Sequence, residues 1–273
     1  MRPRLARALV YAALGLGAAL SLLPLLWMVS ASLMPTGEAN TAPPRLFPSQ
    51  VTFEHYAALF TRLSLRRYFL NSTIVAVSAT LISLLCNSMA GYALAKLRFR
   101  GREPVYRLLL AGLVVPAQVA MLPLFLELRA LGLVNTYVGA FVPAMATIFG
   151  IFLIRQYALS IPDDLLDAAR LDGAGEFRLY WSIVLPTIRP ILATLALFTF
   201  LSTWNDFLWP LVVLSDDAKY TLPVALAGLV GEHVQDTELM MAGSVLTVLP
   251  VLLLFILLQR HYVEGIMEGS AKG

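Results

Sequence analysis

Six strongly apolar stretches, uncharged except for Asp206, govern what this chain can fold into. They run from Ala8 to Leu33, Tyr68 to Ala95, Leu108 to Leu126, within Ala130 to Ile154 from about Thr136, Pro190 to Leu214, and Leu239 to Gln259. A helix crossing a bilayer needs about 20 such residues, and each run is near that length. None alternates with period two, so strands are not expected. Only 14% of the 273 residues are charged and 59% are hydrophobic, against about 25% charged in soluble domains. A soluble fold this apolar would lack the polar surface to cover its core. The reading is an all-α membrane protein with six transmembrane helices. Pro116 and Pro123 are expected to break the third.

The basic residues give an orientation. Of 20 Lys and Arg, six (Arg45, Arg62, Arg66, Arg67, Arg129 and Lys219) fall on one side of such a six-span chain and fourteen on the other. Both termini are therefore expected in the cytoplasm. Arg62, Arg66 and Arg67 run against the rule. Arg2, Arg4 and Arg7 before the first run suggest a signal peptide, but its apolar run is longer than the ~7–15 residues of a signal core, so an uncleaved anchor is expected. The chain divides into an N-terminal span with its outer loop (1–67), a membrane domain (68–260) and a cytoplasmic tail (261–273). A short outer helix is expected from Thr52 through Phe60.

One cytoplasmic stretch, Ser160 to Pro190, concentrates charge between the fourth and fifth runs. Ser160 and Asp163 fit a Ser-x-x-acid cap, with Pro162 in the first turn. Asp163 and Asp164 sit where the helix dipole favours acids. Gly173 supplies a stop, in a left-handed conformation. Leu165, Ala168, Ala169 and Asp172 share one face at i, i+3, i+4 and i+7, and its small residues allow close approach by another backbone. A second short helix, Glu176 to Val184, is expected to end before Pro186. The stretch reads as a docking element at the membrane surface.

Within the spans, Thr73, Ala76, Thr80, Ser83, Asn87 and Ala90 form a small, polar stripe that either packs against a neighbour or lines a polar cavity. Asp206, in Trp204-Asn205-Asp206-Phe207, either bonds a broken turn near Pro210 or borders a solute path. Asn87, Trp204, Asn205 and Asp206 are the candidate path residues. His55, His233 and His261 have no metal-ligand spacing, so no metal site and no cofactor are expected. The lone Cys86 reads as a small buried thiol. No phosphate loop occurs, so driven transport would draw energy from a partner or an ion gradient.

Asp167-Ala168-Ala169, Asp172-Gly173, Ile183 and Leu185-Pro186 resemble, at full spacing, the EAA signature of binding-protein-dependent ABC importer permeases. Asp167 replaces the usual glutamate, one methylene shorter. Asn71-Ser72, Gly91-Tyr92-Ala93-Leu94-Ala95, Phe99-Arg100-Gly101, Trp204 to Phe207 and the tail from Gln259 to Gly273 are similar to the carbohydrate class, which includes maltose and glycerol-3-phosphate importers. The resemblance implies a type I importer permease (MetI-like) fold in the inner membrane of a prokaryote. It implies as partners two ABC ATPase subunits, a second related permease in a heterodimer, and an extracytoplasmic solute-binding protein, besides membrane lipid and with no nucleic acid. It also implies that Asp163, Leu165, Asp167, Ala168, Ala169, Leu171, Asp172 and Gly173 form a coupling helix seated in the ATPase. The solute would be a sugar or sugar-like molecule, and the chain no enzyme. An ion-coupled secondary transporter or channel using Asp206 is the alternative; it has no need of a capped docking helix. An intramembrane enzyme would need paired catalytic groups at depth, and Asp206 is the one carboxylate clearly inside a span.

Overall fold

The computed structural model describes residues 3–61, 64–232 and 236–270. Arg2, Arg62, His233, Lys272 and Gly273, which entered the sequence arguments, lie outside them. Among the described residues there is no strand. The helices are α1 (Pro3–Ala31), α2 (Glu54–Thr61), α3 (Leu65–Lys96), α4 (Arg102–Gly112), α5 (Met121–Ala130), α6 (Tyr137–Phe141), α7 (Ile148–Ala158), α8 (Asp163–Leu171), α9 (Glu176–Thr187), α10 (Arg189–Trp204), α11 (Leu208–Val213), α12 (Leu222–Glu232) and α13 (Thr237–Ser270).

Three helices are long and apolar enough to cross a membrane unbroken: Leu9–Ala31 in α1, all of α3, and Thr237–Leu257 in α13. Three further helix pairs are long and apolar enough to cross when each bent pair is taken as one span. Arg102–Gly112 meets Ala117–Ala130 at 100°, Tyr137–Ala144 meets Ile148–Ala158 at 46°, and Glu176–Thr187 meets Arg189–Trp204 at 80°. The six expected spans are thus three straight and three bent.

Each bend has a local cause. Pro116 is extended (φ −60°, ψ 134°) and cannot continue the preceding turn. Pro123 does not interrupt as expected: it falls in the first turn of α5, where no donor is missed. Thr136 and Thr147 are extended, and their hydroxyls accept from Gly139 N and Gly150 N, starting α6 and α7 afresh. The helix from Glu176 does not stop before Pro186. It runs to Thr187 through a π-helical stretch, Tyr180–Val184, just before that proline removes a donor. The fifth apolar run is likewise not one helix to Leu214, because α10 ends at Trp204 and α11 begins at Leu208. Asp206 therefore lies between two helices rather than inside one.

The chain divides into two compact units, and the division does not follow the sequence. Residues 1–66 and 225–250 form one, residues 67–224 and 251–273 the other. In the first, Ala31, Met34 and Ala39 pack with Trp27 and Met241. The loop after α1 is pinned by carboxylates: Glu38 accepts from Ser49 and Arg45, and Glu238 accepts from Ala39 N. Among its described residues the second unit shows two cores. Val75, Ala79, Phe141, Trp209 and Val213 centre one; Tyr92, Ile154, Leu166, Tyr180, Ile188 and Leu195 centre the other. Leu166 anchors α8 in the second core, to which Ile161, Tyr180, Val184 and Ile188 of the same charged stretch also belong.

Candidate functional site

Helix α8 has an apolar anchor and a bare outer side. Leu166 is 1% exposed, whereas Leu165 is 47% and Leu171 89% exposed. Ala168 and Asp172 are also exposed, while Ala169 is half-buried. Ala169 and Asp172 instead line a small cleft of about 200 Å³ with Arg178, Leu179 and Ile183. The expected single face is therefore split: Leu165 and Ala168 point outward, and Ala169 and Asp172 border the cleft towards α9.

The start of α8 is not capped by Ser160. That hydroxyl donates to Tyr157 O, and the residue before the helix is Pro162, which has no side-chain cap. Lys96 supplies the missing order. Its ammonium donates to Ile161 O at 2.6 Å and to Asp163 Oδ1 at 2.7 Å. The Lys96 bond holds the exposed Asp163 carboxyl below the usual carboxylate range, so it is ionised at neutral pH. The end of α8 is as expected: Gly173 has φ +85°. Gly173 N donates to Arg170 O and Ala174 N to Ala169 O, both at 3.0 Å, closing a Schellman turn.

Beyond that turn Arg170 reaches back. Its Nε donates to Glu176 Oε1 at 2.8 Å and its Nη1 to Asp167 Oδ1 at 2.7 Å. These bonds, the one to Glu176 foremost, raise the guanidinium pKa above its ordinary value. Glu176 also accepts from Tyr92 of α3 at 2.8 Å. A cleft of about 960 Å³ opens between this network and the end of α3, bordered by Lys96, Arg98, Phe99 and Arg102. Just beyond, Phe177 (68%) and Trp181 (49%) are exposed and in mutual ring contact. The sequence reading passed over both aromatics; their i, i+4 spacing beside the charged stretch was the available signal.

The four candidate path residues do not gather. Asn87 is fully buried; its Nδ2 donates to Ser83 Oγ and its Oδ1 accepts from Thr147 N. It ties α3 to the bend before α7. Trp204 is 1% exposed, stacked on Phe200 and edge-on to Phe69. Asn205 is exposed and donates to Leu201 O, while the half-buried Asp206 accepts from Trp209 N at 3.3 Å. Asp206 thus bonds the broken turn before Pro210, one of its two expected roles. Among the described residues no cluster of His, Cys, Asp and Glu could hold a metal ion.

Residues 87–267 match the sequence family described as binding-protein-dependent transport system inner membrane component. The chain is 39% identical over 257 residues to the arabinooligosaccharides transport system permease protein of Halalkalibacterium halodurans, covering 93% of this chain and 92% of the relative. It is 37% identical over 267 residues to the diacetylchitobiose uptake system permease protein of Streptomyces coelicolor, covering 96% and 88%. Among solved structures it superposes with TM-score 0.83 and 27% identity on a bacterial ABC transporter involved in the import of the acidic polysaccharide alginate, covering 96% of this chain and 98% of that one.

Proposed function

Since this chain belongs to the family of binding-protein-dependent transport system inner membrane components, we propose that it is one permease half of an ATP-driven sugar importer. It docks its ATPase through α8. The observation that carries the docking is the bare outer side of α8. Leu165 and Leu171 stand exposed on a short helix whose two ends are fixed by Lys96 and by the Gly173 turn. An exposed leucine alone is ordinary; two on a rigid, acidic-ended helix suit a partner's cleft. Phe177 and Trp181 extend that surface. We place two ATPase subunits, a second related permease and an extracytoplasmic binding protein in the assembly. The membrane domain spans 68–260 and both termini are cytoplasmic. The solute class follows the relatives, named for arabinooligosaccharides and diacetylchitobiose, so an oligosaccharide is the first candidate.

Co-expression with the cognate ATPase, second permease and binding protein tests this reading. The assembled complex should move a sugar only with ATP, and the chain alone should hydrolyse none. In a Cys86→Ser background, Gly175→Cys should react with an impermeant reagent only from the cytoplasmic side. Uptake by the single chain, driven by an ion gradient with no ATPase attached, would instead establish the carrier alternative.

Asn205 and Asp206 border the solute path in this reading, since both reach the surface at the break after α10. Asp206→Asn keeps an oxygen for Trp209 N, so yield should hold. Loss of a charge-assisted bond to solute should lower transport roughly tenfold. Transport at the wild-type rate, with unchanged yield, would confine Asp206 to the turn.

A further inference from the structure

We infer that Ser88, Tyr92 and Lys96 are positioning residues that make α3 the lever through which the docking helix acts on the membrane domain. The inference rests on the ATPase-docking reading of α8. The three residues lie at i, i+4 and i+8 on α3, so they form one stripe along about two turns. Each holds a different piece of the stretch after α7. Ser88 Oγ shares a 2.7 Å hydrogen bond with Tyr180 OH in the π-helical part of α9. Tyr92 OH donates to Glu176, the first residue of α9, and its ring lies 6.0 Å from that of Tyr180. Lys96 grips Ile161 O and Asp163 at the start of α8. Arg170 closes the circuit by joining α8 to Glu176. Thus the two ends of the docking helix are both tied, one directly and one through Arg170 and Glu176, to a single face of α3.

The physical consequence is specific. A short helix hung on two flexible loops would absorb a partner's push by swinging. Here the glycine turn at 173–175 is bridged by Arg170 and Glu176, and the loop before α8 is gripped by Lys96, so displacement passes to α3. The same helix carries Asn87, bonded to Thr147 at the bend before α7, and Gly91, packed on Ile154. Motion of α3 is therefore delivered to the α7 crossing. Coupling needs such a discrete, contiguous element, whose two arrangements both sites bias.

The test uses the assembled importer. Ser88→Ala and Tyr92→Phe each remove one hydroxyl from the stripe and leave the Lys96 grip on α8 in place. In the double variant, membrane level and ATPase co-purification should match wild type and ATP hydrolysis should continue. Sugar moved per ATP should fall roughly tenfold, within the ~5–150-fold range of ordinary coupling terms. Lys96→Arg should retain coupling. A wild-type sugar-to-ATP ratio in the double variant overturns the inference. So does loss of ATPase attachment in parallel with loss of transport, because the stripe would then only shape the dock. Failure of the wild-type chain to bind any ATPase would remove the docking reading itself, which separates the two failures.

Discussion

Importers carrying Gly173→Val or Leu171→Asp should reach the membrane in normal amount, yet transport sugar at least roughly tenfold more slowly. The two act differently. Gly173 has φ +85°, and a Cβ there would meet no atom within 4 Å. The strain is conformational alone: about 1–2 kcal/mol for an ordinary residue, and more for a β-branched one. The Schellman bonds to Arg170 O and Ala169 O would reopen, and the Arg170–Glu176 bridge beyond them would lose its register. Leu171 is 89% exposed, so aspartate there removes nothing from the folded chain. It removes about 1.5–3 kcal/mol of apolar burial from a docked partner and adds a charge to be desolvated. Gly173→Val should accordingly preserve some ATPase attachment while uncoupling it, and Leu171→Asp should lose attachment. Membrane level, ATPase co-purification and sugar uptake measure the three parts. Full transport in both variants would remove α8 from the coupling role.

Gly91→Val should act on the fold itself, cutting the yield of folded protein and lowering its melting temperature. A Cβ at Gly91 would stand 2.6 Å from Ile154 Cγ2 and 3.0 Å from Arg155 N. Ile154 is fully buried in the second core, so it has nowhere to turn. Overpacking of this kind costs typically about 1–3 kcal/mol, and valine's branches exceed the alanine minimum. Thermal unfolding in detergent reads the effect. Gly91→Ala should be milder, and Ile154→Val beside Gly91→Ala should recover part of the loss. If Gly91→Val melts with wild type, α3 and α7 have separated by another route.

Gly173, Asp163 and the bend at Pro116 were legible because each is decided by its own backbone chemistry: a positive φ, a dipole, a missing donor. The six apolar runs were legible for a similar reason, since a bilayer imposes length and apolarity residue by residue. The EAA-like spacing at Asp167 to Pro186 carried the family, because it is a linear pattern. What could not be read was where hydrogen bonds close across distance. Ser160 fitted a cap, yet its hydroxyl turned to Tyr157 O and Lys96, 67 positions before Asp163, did the ordering instead. The Asn87 stripe left packing and cavity open, and the partner its Oδ1 accepts from, Thr147 N, lies 60 positions away. The broken turn at Asp206 was one of two sequence readings, and the end of α10 at Trp204 realises it.

The sequence by itself determined the membrane class, the helical character, the six apolar runs and the place of α8, because all four follow from local composition and spacing. Only the tertiary structure decided which crossings bend, which face of α8 stays bare, and that α3 holds both its ends. Those depend on which side chain reaches an unsatisfied backbone group first, a competition among residues dozens of positions apart.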